Sequence, residues 1–222
     1  LTDDNFATIV QAVKNGRNVY ANIRRSIQFL LSGNTAGILT VLYASLMALP
    51  VPFAAVHLLF INLLTDSLPA IAIGMEPAGS DLLNRKPRDP KEPLLSGDLV
   101  KRIGLQGLLI AVPVMTAFYL GYQSGTAEAM TMAFATLTLA RLFHGFNCRE
   151  DRSILRMGIS GNPASLAAFG VGVLLLLAVL LIPALHGLFL VADLTLAQLG
   201  MILGLAVLPT LCIQITRIAR GK

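Results

Sequence analysis

The stretch LFINLLTDSLPAIAIG, residues 59–74, decides how the rest of the chain must be arranged. It is apolar enough to lie in a membrane, yet it contains Asn62, Thr65 and Asp66, with Pro69 shortly after them. An aspartate at the centre of a membrane helix costs roughly 2.5–3.5 kcal/mol on insertion scales. Proline removes a backbone donor and blocks a regular helix around it. Because two such energetic costs occur at one place, we expect a functional site there. We interpret the rest of the chain as the scaffold that holds this site.

The composition is typical of a membrane protein with several spans. Of the 222 residues, 55% are hydrophobic and 13% are charged, whereas a soluble domain carries about 25% charged residues. Long apolar blocks alternate with short charged ones. The first residues, LTDDNFATIV, are polar and acidic and have no basic region before an apolar one, so we expect no signal peptide.

The alternation predicts an all-α membrane protein with six transmembrane helices. A short amphipathic helix is expected first, over residues 3–16, with a break at Gly16. The first span is longer than a hydrocarbon core of about 30 Å requires, so its initial turns should project into the cytoplasm as a stalk. The predicted spans are residues 17–49, 53–75, 103–122, 127–146, 166–191 and 194–215.

The lysines and arginines predict the orientation, because cytoplasmic loops carry an excess of both. Six spans would place sixteen of the 17 basic residues on one side and leave Arg141 inside the fourth span. Both termini are therefore expected to be cytoplasmic. The net charge of +5 is interpreted as an orientation signal, and no nucleic-acid partner is expected. The basic regions are residues 14–25, 85–102, 149–156 and 217–222.

The polar residues of the opening stretch predict a cation site. Asn62 and Asp66 are four residues apart and would share a helix face, with Thr65 adjacent. All three side chains offer oxygen, and Ca²⁺ takes 6–8 oxygen ligands. Counted from the predicted inner ends of the first two spans, Asn34 lies roughly 11 Å deep and Asp66 roughly 14 Å. The two residues are thus nearly level, and carbonyls freed near Pro69 would add further ligands.

Two features of this site stay open at the level of sequence. The side chain of Arg141 could point toward Asp66, where it would place a fixed positive charge, or snorkel to the membrane interface. The polar residues could also be purely structural, through interhelical hydrogen bonds or an ion pair between Asp66 and Arg141. Gly33 and Gly37 flank Asn34 and are expected to let another backbone approach closely.

Three motifs resemble the Ca²⁺-transporting branch of the P-type ATPases. DDNFATIVQAVKNGRNVYANI at residues 3–23, followed by FLLSGN at 29–34, looks like the end of the phosphorylation domain and the fifth transmembrane helix. LFINLLTDSLPAIAIGMEP at 59–77 resembles the sixth helix, and RKPRDPKEPLLSG at 85–97 resembles the loop after it. The resemblance implies that residues 1–16 end the phosphorylation domain. It also implies that residues 17–222 form helices five to ten of a ten-helix pump.

The resemblance also implies roles for single residues. Asn62, Thr65 and Asp66 match cation ligands of the family's sixth helix, and Asn34 matches a ligand of the fifth. The remaining ligands would come from the fourth helix, which lies outside this chain.

Two departures from the family bear on the number of cations. The glutamate of the fifth helix is replaced by Gly37. The glutamate of the eighth helix falls at Arg141, or at Ala140 if the gap is placed otherwise. Because these glutamates build one of two Ca²⁺ sites, the resemblance implies one transported cation per cycle.

The function that the resemblance implies is the transport portion of an ATP-driven pump that exports Ca²⁺. The motifs DKTGT and TGE do not occur in this sequence, so Mg²⁺ and ATP belong to the pump's other domains and this segment is not expected to hydrolyse ATP alone. Its expected partners are those domains, the N-terminal helices, the transported cation and the lipid bilayer. Its expected location is the cell membrane. A pump for H⁺, Mn²⁺ or Na⁺, or a self-contained channel or secondary transporter, remains an alternative.

Overall fold

A computed structural model describes residues 6–78 and 93–221 of the chain, without the side chain of Phe6. Helices dominate the described residues, and no strand occurs among them, which confirms the predicted all-α class. Most of the loop motif at residues 85–97 lies outside the described part. The helices are α1 (Phe6–Leu46), α2 (Ala55–Phe60), α3 (Ser67–Gly74), α4 (Gly97–Tyr122), α5 (Thr126–Arg149), α6 (Ile154–Met157), α7 (Pro163–Leu181), α8 (Pro183–Phe189) and α9 (Leu196–Ala219).

Five helical stretches of the described chain are long and apolar enough to cross a membrane. They are α1, the unit Ala55–Gly74 that contains α2 and α3, α4, α7 and α9. The helix α5 corresponds to the predicted fourth span and has 24 residues, but it is not among the five. The chain is therefore a multi-pass membrane protein, while the count of six spans and the orientation of the termini stay predictions.

The helix α5 lies at the centre of the bundle, where it packs against α1, α3, α4, α7 and α9. Its middle is buried on all sides, with Phe134, Leu137 and Ala140 fully inaccessible. Close packing against α4 depends on Gly121, where an added Cβ would come within 2.7 Å of the Cα of Ala129. Since α5 is surrounded by protein, it needs no lipid-facing apolar side, and this explains why it is not among the five apolar stretches.

The predicted break at Gly16 is wrong, because α1 runs without interruption from Phe6 to Leu46. A glycine in a helix interior costs only about 1 kcal/mol relative to alanine. At 41 residues, α1 is about 62 Å long, so a single rod joins the N-terminal segment to the membrane region.

The predicted fifth span, residues 166–191, is divided into α7 and α8. Pro183 begins α8, and Ile182 before it has an extended backbone with φ −96° and ψ 106°. Proline cannot continue the hydrogen bonds of α7 and disfavours helical geometry in the residue before it. The C-terminal end of α8 is tied to the second span, since Nε2 of His57 lies 2.7 Å from the carbonyl oxygen of Phe189.

Candidate cation site

The segment that opened the sequence analysis is not a regular helix. Between α2 and α3, residues Ile61–Thr65 form a π-helical turn, and Asp66 stands at its junction with α3. The amide of Asp66 donates to the carbonyl of Ile61 at 2.9 Å, five residues back, as a π turn requires. Pro69 lies in the first turn of α3 and has no N–H to offer the Thr65 carbonyl. The Thr65 carbonyl therefore lacks the helical hydrogen bond that residue 69 would otherwise donate, directly next to the Asp66 carboxylate.

Arg141 points into the bundle, which resolves the two orientations that the sequence left open. Its Nη2 forms an ion pair with Oδ2 of Asp66 and donates to Oδ1 of Asn34 at 3.1 Å. The side chains of Arg141 and Asp66 are only 4% and 3% exposed. Removing either partner would leave a buried charge uncompensated, which is strongly unfavourable. The guanidinium thus joins α5, α3 and α1 at one point.

A glycine makes room for this arginine. A Cβ built on Gly33 would overlap Nε of Arg141 and lie 2.6 Å from its Cζ. The close approach predicted at Gly33 therefore exists, but a side chain makes it and not a backbone. Gly37 is different, because a Cβ there would meet only Cδ2 of Leu137, at an ordinary 3.9 Å.

The other three predicted site residues, Thr65, Asn62 and Asn34, differ in how far they are buried. Thr65 is buried, and its hydroxyl donates to the carbonyl of Ile61 at 3.0 Å. The side chains of Asn62 and Asn34 are exposed on the surface of the described chain. The structure therefore brings together Asp66, Arg141 and Asn34, and no hydrogen bond among the described residues joins Asn62 or Thr65 to them.

The arrangement leaves one oxygen of the site free for a ligand. Oδ1 of Asp66 and Nε of Arg141 are buried without a hydrogen-bond partner among the described residues. The described part of the chain contains no group of three histidine, cysteine or acidic side chains that could hold a metal ion. A cation bound here would therefore take Oδ1 of Asp66 together with amide and carbonyl oxygens, the ligands that hard cations prefer.

Sequence reasoning missed a second buried ion pair below the site, between Arg149 of α5 and Glu76 after α3. The fully buried guanidinium donates to both carboxylate oxygens, from Nε to Oε2 at 2.8 Å and from Nη2 to Oε1 at 2.9 Å. Asn162, which caps α7, adds a bond from Nδ2 to Oε2 of Glu76 at 2.8 Å. The only sequence signal was Glu76 itself, quoted within a motif but given no role.

The stalk helix α1 joins this second pair through two amides. Nδ2 of Asn22 and Nδ2 of Asn18 donate to the carbonyl oxygen of Glu76 at 2.7 and 3.0 Å. We call these two residues, with Glu76, Arg149 and Asn162, the Glu76 clamp. It fixes the C-terminal end of α3, whose N-terminal end presents Asp66. The helices α1, α3 and α5 are therefore cross-linked twice, once at Asp66 and once at Glu76.

Comparison with known proteins agrees with this architecture. Residues 50–219 match the family model described as "Cation transporting ATPase, C-terminus". The chain belongs to this family. It is 39% identical to a calcium-transporting ATPase of Bacillus subtilis, over the whole of this chain and 25% of that protein. It is 38% identical to calcium-transporting ATPase 1 of Lactococcus lactis, again over the whole chain and 25% of the relative.

The chain of this family member thus spans about a quarter of the length of the curated relatives that it matches. These matches confirm the resemblance to the C-terminal segment of Ca²⁺-transporting P-type ATPases that the three sequence motifs indicated.

Proposed function

We propose that the chain is the transport portion of an ATP-driven pump that exports Ca²⁺ across the cell membrane and carries one cation per cycle. The family membership and the calcium-transporting relatives support the class of pump. In this proposal α5 is the fourth of six spans, shielded from lipid by its neighbours, and both termini are cytoplasmic. ATP and Mg²⁺ act in the pump's remaining domains.

The position of Arg141 is the observation that supports a single cation. Its guanidinium occupies the space between Asp66 and Asn34 and balances the charge of the buried carboxylate. A second divalent cation beside it would face a fixed positive charge in a medium of low dielectric constant, where repulsion is strong. One Ca²⁺ could bind on the opposite side of Asp66, through Oδ1 and the oxygens of the π turn.

The ligands we assign to that cation are Asp66, Asn62 and Thr65, with Asn34 at its edge. Asn62 and Asn34 are exposed in this chain, as expected of residues that face a helix contributed by the rest of the pump. Thr65 would contribute its hydroxyl oxygen, whose proton is already donated to Ile61. Freed carbonyls near Pro69 complete the part of the site that this chain supplies.

The number of cations is tested by equilibrium binding of ⁴⁵Ca to the purified full-length pump, divided by the number of sites that become phosphorylated. We expect one Ca²⁺ per phosphorylation site. A ratio near two would refute the single-site proposal and leave the pump assignment intact.

The assignment of Asp66 as a ligand is tested by the variant Asp66→Asn, which should abolish Ca²⁺-dependent phosphorylation by ATP. Retained phosphoenzyme would refute the assignment of Asp66.

A proton is the second candidate for the transported ion, because a single buried carboxylate paired with an arginine can accept and release one proton. The two candidates differ in vesicles that contain the pump. A Ca²⁺ pump accumulates ⁴⁵Ca on addition of ATP and is silent without Ca²⁺, whereas a proton pump acidifies the lumen in a Ca²⁺-free medium.

A further inference from the structure

The segment around α6, at one end of the helix bundle, exposes large apolar side chains that do not pack against the rest of the described chain. Leu155 in α6 is 84% exposed and Ile159 just after it is 51% exposed. Both belong to the charged segment between α5 and α7, where a water-exposed loop would carry polar residues. Two large apolar side chains exposed close together beside charged residues form a small apolar patch rimmed by polar groups, the kind of surface that marks a membrane or protein contact.

The depth of α6 can be taken from α9, which lies beside it. The amide of Ile154 donates to Oε1 of Gln214 at 2.8 Å, so the two residues are level. A hydrocarbon core of about 30 Å takes about 20 helical residues, which from the start of α9 at Leu196 extends to about residue 215. The short helix α6 therefore lies at the boundary between the acyl chains and the headgroups.

The charges around α6 are not balanced. The two acidic residues there are already paired, Asp151 with Arg102 and Glu150 with Arg152. Arg156 bonds to a backbone carbonyl, that of Gly221, at 2.6 Å.

Arg220, next to Gly221 in the chain, is exposed. Among the described residues, neither Arg156 nor Arg220 has a carboxylate partner. Two arginine side chains, Arg156 and Arg220, thus lie near the exposed Leu155 at the level of the headgroups.

We propose that this corner, formed by α6 and the C-terminal end of α9, binds the headgroup of an anionic phospholipid, with Leu155 inserted among the acyl chains. Charge complementarity and depth together favour this occupant. A purely solvated basic face would not present Leu155 outward, and a purely lipid-facing surface would not require Arg156 and Arg220 at that level. An apolar side chain beside basic ones is the pattern of interfacial membrane contacts, and basic pockets between transmembrane helices bind anionic headgroups.

The test uses the full-length pump with Leu155→Trp, reconstituted in phosphatidylcholine vesicles. This chain contains no tryptophan, and the unsubstituted pump supplies the background from other regions. Dibrominated phosphatidylglycerol or dibrominated phosphatidylcholine is added at increasing mole fraction, and quenching of the introduced indole is recorded. We expect quenching by both lipids, with phosphatidylglycerol several-fold more effective, since each basic residue near the surface contributes about a five-fold preference.

The preference should fall toward unity when Arg156→Gln and Arg220→Gln are added, and it should persist with Lys14→Gln, a control in the first turns of α1. Ca²⁺-dependent phosphorylation verifies that each variant is folded. If the double variant does not fold, 0.5 M salt gives the same test without it, because screening must weaken the preference. Equal quenching by both lipids would overturn the proposal in favour of a non-selective lipid contact. Absence of quenching by either lipid would overturn it in favour of a protein segment covering Leu155.

Discussion

At the scale of single residues, the site is defined by Arg141, which occupies one of the two positions, 140 and 141, where the family resemblance places a glutamate. Arg141 reaches Asp66 and Asn34 because Gly33 has no side chain in its path. Because the pair is buried, the desolvation of its two charges offsets much of their attraction, and its net contribution to folding stability is small. Its main effect is to fix the position of the two side chains. What the pair provides is a fixed position for the one carboxylate in the middle of the second span.

The contact between Gly33 and Arg141 predicts the effect of a single methyl group. Gly33→Ala places a Cβ on the guanidinium and should force Arg141 away from Asp66, lowering stability by about 1–3 kcal/mol as overpacking does. The measurement is the thermal unfolding midpoint of the full-length pump at a fixed scan rate. Gly170→Ala in α7 is the matched control, because a Cβ there meets nothing within 4 Å, and it should not lower the midpoint. An unchanged midpoint for Gly33→Ala would contradict the close contact.

The space at Gly37 predicts that a second cation site can be built. Gly37→Glu has room for its Cβ, and combined with Arg141→Glu it replaces a fixed cation by two carboxylates. We expect ⁴⁵Ca binding to rise from one to two per phosphorylation site. The double variant Gly37→Gln with Arg141→Gln is similar in size without the charges and should remain at one. A ratio of one in both variants would show that more than these two positions limits the number of sites.

At the scale of elements, α3 is a short helix with a buried ion pair near each end, at Asp66 and at Glu76. Its eight residues run from the junction at Asp66 to the clamp at Glu76, and α1 and α5 contact it at both levels. The stalk helix α1 is therefore connected to the carboxylate through side-chain bonds and helix, with no loop between them. The division of the second span into α2, the π turn and α3 confines the irregular backbone to the site.

The Glu76 clamp predicts strong coupling between its two charged members. Arg149→Met leaves Glu76 buried and unpaired and should cost about 3–5 kcal/mol, whereas the double variant with Glu76→Gln should be considerably more stable than Arg149→Met. Thermal midpoints of the two single variants, the double variant and the parent pump measure this coupling. Arg152→Gln is a control, since the Arg152 side chain is 57% exposed in its pair with Glu150 and an exposed pair contributes below about 1 kcal/mol. Additive effects of the two clamp substitutions would contradict the coupling.

At the scale of the whole molecule, the central position of α5 explains why this helix is not among the five stretches apolar enough to face lipid, while the count of six spans stays a prediction. A helix covered by protein can carry Arg141, Asn147 and Arg149 without exposing them to lipid. All three are buried. The apolar residues are then concentrated on the outer helices.

The topology has a direct test in cells that express the full-length pump with Cys212→Ser and with every cysteine outside this chain replaced by serine, since Cys148, the other cysteine of this chain, is buried. Ser124 between α4 and α5 and Ser160 between α6 and α7 are both exposed and fall on opposite sides of the predicted arrangement. A membrane-impermeant maleimide should label Ser124→Cys in intact cells and Ser160→Cys only after permeabilisation. Labelling of Ser160→Cys in intact cells would reverse the predicted orientation.

The all-α membrane class and the family could be predicted from the sequence alone, because hydropathy and motifs are properties of neighbouring residues. The continuity of α1 through Gly16 and the division of residues 166–191 into α7 and α8 could not. The sequence also located Asp66, whose insertion cost is visible without a fold. It did not determine the direction of Arg141 or the partner of Glu76. Those depend on groups 75 and 73 residues away along the chain. Long side chains have several rotamers of similar energy, and only the packing of α1, α3 and α5 selects the one that joins them.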